Sequence, residues 1–181
     1  MATWTFDPAH TSASFSARHM MVTTVRGSFS KISGTIEYDP ANPTAASVEA
    51  VIEAASIDSG VADRDNHLKS ADFLDVANYP TITFKSTRVE PTADNEARIT
   101  GDLTIRGVTR EVVLEAELLG LGTDPFTQAQ KAGFSAEAKI NREDWGLVWN
   151  VALEAGGVLV SKEVKLTLDV QAIRVTETTA V

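Results

Sequence analysis

Histidine changes charge near neutral pH and is the commonest protein metal ligand. This chain has three, His10, His19 and His67, widely separated and without the paired spacing of a metal site. They hold a transition metal or a haem only if the fold brings all three together, and a metal- or haem-binding protein is the alternative reading on that condition. Cysteine is absent, which removes disulfides, thiolate nucleophiles and Cys-based zinc sites together. There is no Ser-His-Asp order, no phosphate-cradling glycine loop and no HExxH helix. The reading is a protein that is not an enzyme and that carries neither a catalytic residue nor a metal of its own.

The remaining chemistry is recognition by charge and hydrogen bonding. His19, with Arg18 beside it and Arg26 nearby, reads in two ways: a polar rim receiving an alcohol, carbonyl or phosphate, or a satisfied core residue on an apolar face. Arg64 and His67 lie three apart, on one helix face beside Leu68. They meet a polar head group if that helix sits at a barrel opening; otherwise Arg64 pairs with a carboxylate and caps the barrel end. The candidate head-group residues are therefore His19, Arg26, Arg64 and His67. His10 follows Asp7-Pro8-Ala9 in a turn and is expected to hydrogen-bond locally. A second turn, Asn141-Arg142 to Asp144-Trp145-Gly146, is expected to be held by an Arg–Asp interaction.

These residues must be positioned by strands. Ile99, Gly101, Leu103 and Ile105 alternate with Arg98, Thr100, Asp102, Thr104 and Arg106, and beyond Gly107 the set Val112, Leu114, Ala116 and Leu118 alternates with Glu111, Glu115 and Glu117. That is the period of a β-hairpin with one apolar and one charged face. Similar runs occupy Ala13 to His19, Val48 to Ala54, Ile82 onward, Phe134 to Ile140 and Val164 to Val170. Gly27 and Gly34 interrupt the run from Val22 to Tyr38, predicting one bent strand or two. About eight strands result, several spanning roughly 25–33 Å. One helix is expected at about 61–76, capped by Asp58 or Ser59 and carrying an Asp65–Lys69 pair. Residues 1–175 read as a single domain and 176–181 as a disordered tail.

With a single helix available, the apolar face of such a sheet is best hidden by closing the sheet on itself. The fold class is therefore all-β, an extended eight-stranded antiparallel barrel. An eight-stranded interior holds either side chains or one small ligand. Many inward positions are small, among them Ala13, Ala17, Ala50, Ala116 and Ala136. They leave an open bore or fit the taper of a narrow packed barrel, and the sequence alone leaves both readings standing. An open bore would be lined by Phe15, Ala17, Phe29, Phe73, Phe84, Leu103, Leu114, Phe134 and Trp145. A packed one would fit a ligand-free, stress-related interaction module. An apolar bore binds chains strongly, since each buried CH₂ contributes ~0.8 kcal/mol.

The composition is ordinarily globular, 43% hydrophobic and 23% charged, with a net charge of −9. Such acidity repels nucleic-acid backbones and anionic leaflets, and no basic stripe offsets it. No stretch approaches the ~20 apolar residues of a transmembrane helix. The N-terminus lacks the regions of a secretory signal, which predicts a cytoplasmic protein, or a periplasmic or secreted one if a signal has been removed.

Seven segments are familiar in their order. They are Asp7-Pro8-Ala9-His10-Thr11-Ser12 with Phe15 and His19; Val25-Arg26-Gly27-Ser28-Phe29; Arg64 to Phe73; Tyr79-Pro80 with Ile82, Thr83 and Phe84; Gly101 to Arg110; Asn141 to Gly146; and Leu159 to Val164. In these the chain resembles the YceI-like family of bacterial lipocalin-like barrels, from about Trp4 to Val175. The resemblance implies a lipocalin-like antiparallel barrel holding a long-chain lipid, a polyprenyl compound or an isoprenoid quinone. It also implies a homodimer, and export of many members to the periplasm.

Overall fold

The period-2 alternation becomes eleven strand segments in a computed structural model that describes residues 1–176. They are β1 (Ala2–Phe6), β2 (Ser12–His19), β3 (Thr23–Phe29), β4 (Ile32–Tyr38), β5 (Ser47–Glu53), β6 (Ile57–Asp58), β7 (Thr81–Ala93), β8 (Glu96–Ile105), β9 (Val108–Thr123), β10 (Gln130–Asn141) and β11 (Val160–Arg174). The tail expected from 176 onward lies, apart from Thr176, outside the described residues.

Both β1 and β2 pair with β11. Trp4 stands opposite Arg174 and Phe6 opposite Ala172, and then Ser12 stands opposite Asp169 through to His19 opposite Val160. They are two halves of one barrel strand, separated by the turn Pro8–His10. Proline lacks the N–H that a ladder needs, and Asp7 bridges the gap, its backbone N–H donating to Gln171 at 2.7 Å. In the same way β3 and β4 pair with β2 and β1, and β6 and β5 pair with β3 and β4. These three broken strands and the five continuous ones close as an eight-stranded antiparallel barrel. The expected hairpin from 98 to 118 is formed by β8 and β9. Its two-residue turn, Arg106-Gly107, has φ of 50° and 72°, the double positive φ that a tight hairpin requires.

The break in the run from Val22 to Tyr38 falls at Ser30-Lys31, between the two glycines expected to cause it. Gly27 and Gly34 sit in regular ladder instead and Gly101 stands beside the β7–β8 register shift at Thr87, and at all three the rings of Phe15, Phe6 and Phe84 occupy the space a Cβ would take. Each ring is thus held against the wall beside a glycine.

The helix is shorter than the expected 61–76. α1 spans Ala62–Lys69. Ser70 ends it by donating from its backbone N–H and its hydroxyl to the His67 carbonyl, and the chain then turns so that Phe73 and Leu74 become buried. Neither Asp58 nor Ser59 is the cap residue. Val61 holds that position without a side-chain bond, and the Asp65 carboxylate reaches back to accept from the Ser59 hydroxyl at 2.5 Å and from its N–H at 2.8 Å. Those bonds hold Asp65 below the usual carboxylate pKa, and no Asp65–Lys69 ion pair forms.

Apolar side chains gather at both ends of the barrel. Beneath α1 they include Ile57, Leu74, Ile82, Leu103, Ile105, Trp145 and Leu147. At the opposite end Trp4, Ile36, Ala132 and Ala172 pack together. Because the Phe15 ring fills the Cβ space of Gly27, Gly27→Ala is expected to destabilise the protein by about 1–3 kcal/mol, as overpacking does. Urea denaturation should show part of that cost removed in a Phe15→Leu background; strict additivity of the two substitutions would disprove the contact.

Candidate functional site

Between the two apolar clusters the barrel encloses a cavity of about 620 Å³. Register explains the space. Ala97 stands opposite Ala116, Ala116 opposite Ala136, Ala136 opposite Leu168 and Leu168 opposite Ala13. One row of the wall is therefore almost entirely alanine, where a packed barrel would place large side chains that meet across the axis. All five residues line the cavity, so the open-bore reading of the small residues is the one this geometry matches.

Of the nine candidate lining residues, Phe29, Phe84, Leu103, Leu114 and Phe134 face the cavity, and Phe15, Ala17, Phe73 and Trp145 do not. The Phe15 ring is spent on Gly27 and on Phe29, centroid to centroid 5.8 Å. Ala17 lies further along β2, toward the α1 end. Phe73 packs against His67 and Trp149 at the end beyond α1. Trp145 is 2% exposed and packs behind the lining residues Leu103, Ile105 and Val112, its indole N–H donating to the Leu103 carbonyl at 2.9 Å.

The four candidate head-group residues neither converge nor touch the cavity. His19 ends β2 at the closed end, opposite Val160. Arg26 alternates with inward-facing residues and so is exposed on the outer face, in a separate polar recess with Ser16, Asp58 and Lys165. Arg64 is tied to Ser59, donating to its hydroxyl at 2.7 Å and its carbonyl at 2.6 Å. His67 meets Asp72 at 3.0 Å and stacks edge-on against Trp149 at 4.6 Å. The reason is orientation: α1 covers the closed end, so cations on it cannot reach the mouth. His10 does bond locally, to Asp7 at 2.9 Å, and this bond is the largest reason the Asp7 carboxyl lies below its usual pKa. Among the described residues no three histidine, aspartate or glutamate side chains converge as metal ligands.

The turn after β10 is held differently from the Arg–Asp expectation. Arg142 is 4% exposed and donates to three carbonyls, those of Ser161 at 2.8 Å, Leu147 at 2.5 Å and Val160 at 3.3 Å. It ties the floor segment to the start of β11, and burial pushes its guanidinium pKa down.

The mouth lies at the other end. It is formed by Pro40, Pro43 and Ala46 between β4 and β5, by the β7–β8 hairpin around Asp94-Asn95, and by Leu121 on β9. The first two are connecting segments that carry prolines, Pro40 and Pro43 in one and Pro91 in the other. Their prolines mark rigid turns, yet nothing local says that both meet at one opening. Beside it the β9–β10 loop is braced by Asp124, which binds Lys131 at 2.8 Å and accepts from the N–H groups of Phe126 and Thr127.

The YceI-like domain model matches residues 4–172, the span that builds all eight barrel strands. The chain belongs to the YceI-like family. It is 41% identical to protein YceI of Escherichia coli O157:H7 over 165 residues, which is 91% of this chain and 82% of that protein. Among solved structures it resembles the YceI protein of Campylobacter jejuni, with 31% identity, a TM-score of 0.75 and coverage of 88% of this chain and 90% of that one. The fold also matches a polyisoprenoid binding domain of Saccharophagus degradans at a TM-score of 0.68 and 13% identity, over 97% of this chain and 99% of that one. No helix of the described residues is long and apolar enough to cross a membrane.

The bond to Lys131, followed by the two backbone N–H groups, lowers the Asp124 pKa from 3.8 to about 2. A carboxylate depressed in this way stabilises the loop above its unfolded pKa, and that stabilisation is lost as pH falls through about 2. NMR titration of the Asp124 carboxyl should show this low midpoint. Lys131→Met should raise it only part of the way toward 3.8, because the backbone donors remain.

Proposed function

We propose that this protein binds one long-chain apolar lipid (a polyisoprenoid, an isoprenoid quinone or a similar amphiphile) inside the barrel, and carries or stores it without chemical change. The cavity carries this reading. Its volume of about 620 Å³ falls within the ~300–1,000 Å³ of small-molecule sites. Its wall is apolar around the alanine row, and its floor is formed by Ile82, Leu103, Ile105 and Val112, backed by Trp145.

Energetics favour a chain over a compact ligand. A five-carbon isoprene unit contributes roughly 3–4 kcal/mol on burial, at ~0.8 kcal/mol per CH₂ and before ordering costs. A single head-group hydrogen bond contributes ~0.5–1.5 kcal/mol, so affinity comes from the bore and orientation from the mouth. The Saccharophagus degradans domain of matching fold is described as polyisoprenoid binding, and the proposal extends that ligand class to this chain.

Native mass spectrometry of the purified protein, followed by organic extraction, tests the reading. A stoichiometric long-chain isoprenoid or quinone is the expected result. Ala136→Trp places a large ring in the alanine row and should lower uptake of added geranylgeraniol at least about tenfold, with circular dichroism confirming that the barrel still forms. A bare polypeptide mass together with no uptake of geranylgeraniol by the unaltered protein would overturn the proposal.

A further inference from the structure

Resting on the lipid-carrier reading, we propose that the β9–β10 loop docks the barrel on a zwitterionic lipid surface. Phe126 enters that surface and brings the mouth to the phase from which an apolar chain is drawn. Phe126 is 94% exposed, the most exposed of the large apolar side chains among the described residues. A single exposed apolar residue is ordinary, but three features of this loop tie it to the cavity.

The first is a fixed tip. The Asp124 carboxylate accepts from the backbone N–H groups of Phe126 at 2.8 Å and Thr127 at 3.1 Å, and binds Lys131 at 2.8 Å. The loop is closed by the Asp124 N–H donating to the Ala129 carbonyl and the Gln128 N–H donating to the Asp124 carbonyl, both at 2.8 Å. The backbone that presents the ring is therefore ordered before any contact, which lowers the entropy lost on docking.

The second is continuity with the bore on the β9 side of the mouth. The pairing of β8 with β9 ends at Glu96 and Glu117, and β9 runs on to Thr123 against β10 alone. From Leu118 to Thr123 it carries no charged residue. Leu119 is exposed, and Leu121 is 54% exposed while also lining the cavity. An uncharged stretch thus leads from the bore toward the loop tip. Exposed apolar side chains at the foot, Met20, Met21 and Val22, have no such link, since none of them lines the cavity.

The third is the match to one kind of surface. A long apolar chain resides in a lipid phase and not in water, so loading requires the mouth at such a phase. Asp124 and Lys131 neutralise each other beneath the tip, and the net charge of −9 opposes approach to an anionic leaflet. Between Leu119 and Thr123 the β8 side of β9 has no strand partner. Its N–H and C=O groups find partners in water or among head groups but not in hydrocarbon, which confines insertion to the tip.

Phosphatidylcholine vesicles carrying geranylgeraniol, mixed with the full chain, provide the test. Phe126→Ser should slow transfer from vesicle to protein roughly fivefold or more, the loss expected when one ring leaves an interface. Its affinity for geranylgeraniol added without vesicles should be unchanged. Val22→Ser, likewise exposed but at the foot, should alter neither quantity. The emission of Phe126→Trp should shift to the blue on adding vesicles and be quenched by brominated phosphatidylcholine. Replacing about 30% of the lipid with phosphatidylglycerol should slow transfer, and added salt should restore it. Unchanged transfer in Phe126→Ser, with no spectral shift in Phe126→Trp, would overturn the inference and leave the carrier reading intact. A loss of self-association in Phe126→Ser, seen by sedimentation, would also overturn it by assigning the tip to a second copy of the chain. Failure of geranylgeraniol to enter the protein by either route would instead overturn the carrier reading, and this inference with it.

Discussion

The pairing of two consecutive strand segments with one long partner is the constraint on which the rest of this structure depends. β11 runs for 15 residues, long enough to hydrogen-bond β2 along its first part and β1 along its last. Without that double pairing the sheet would have two open edges and an apolar face in water. With it, the alternation written into every strand becomes an inside and an outside. The turn at Asp7-Pro8 is what allows one barrel strand to be built in two pieces, since Asp7 keeps a ladder bond to Gln171 where the proline cannot donate.

Closure alone does not decide between a packed barrel and a hollow one. The wall uses small residues in two ways. Beside Gly34 and Gly101, the rings of Phe6 and Phe84 take the space of the missing Cβ and so lie against the wall instead of meeting across the axis. In the row of Ala97, Ala116, Ala136 and Ala13 no ring fills the gap left by the small side chains, and the space stays open. Large aromatics and an open bore are compatible because glycine gives each ring a place to rest.

The two ends of the barrel are built on different physical principles. One is sealed by burial: Trp145 reaches the Leu103 carbonyl, Arg142 binds three carbonyls, and α1 delivers Phe73 and Leu74. A guanidinium without a carboxylate partner tolerates this position because it has five donors to distribute among backbone oxygens. The other end is framed by prolines and a hairpin turn. The barrel is thus asymmetric, with a closed apolar foot and a polar opening.

Much of the architecture was legible in the residues themselves. Alternation from Arg98 to Leu118 determined a hairpin and which side of it is apolar, because side-chain direction in a strand follows from position alone. The abundance of inward alanine raised the question of a bore, and five of the nine candidate lining residues do face it. The helix was overextended because burial of Phe73 and Leu74, a tertiary demand, ends it at Lys69. The cationic candidates His19, Arg26, Arg64 and His67 lie away from the cavity for a related reason. Spacing shows which residues share a face, but only closure of the barrel decides which loops meet at which end and which end is open. Sequence by itself determined the strands, their two faces and the small residues between them. The tertiary structure decided that those small residues align in one row, that Trp145, Arg142 and α1 gather at the foot, and that the Pro40–Pro43 turn and the β7–β8 hairpin meet at the mouth, since each of these depends on register between segments far apart in the chain.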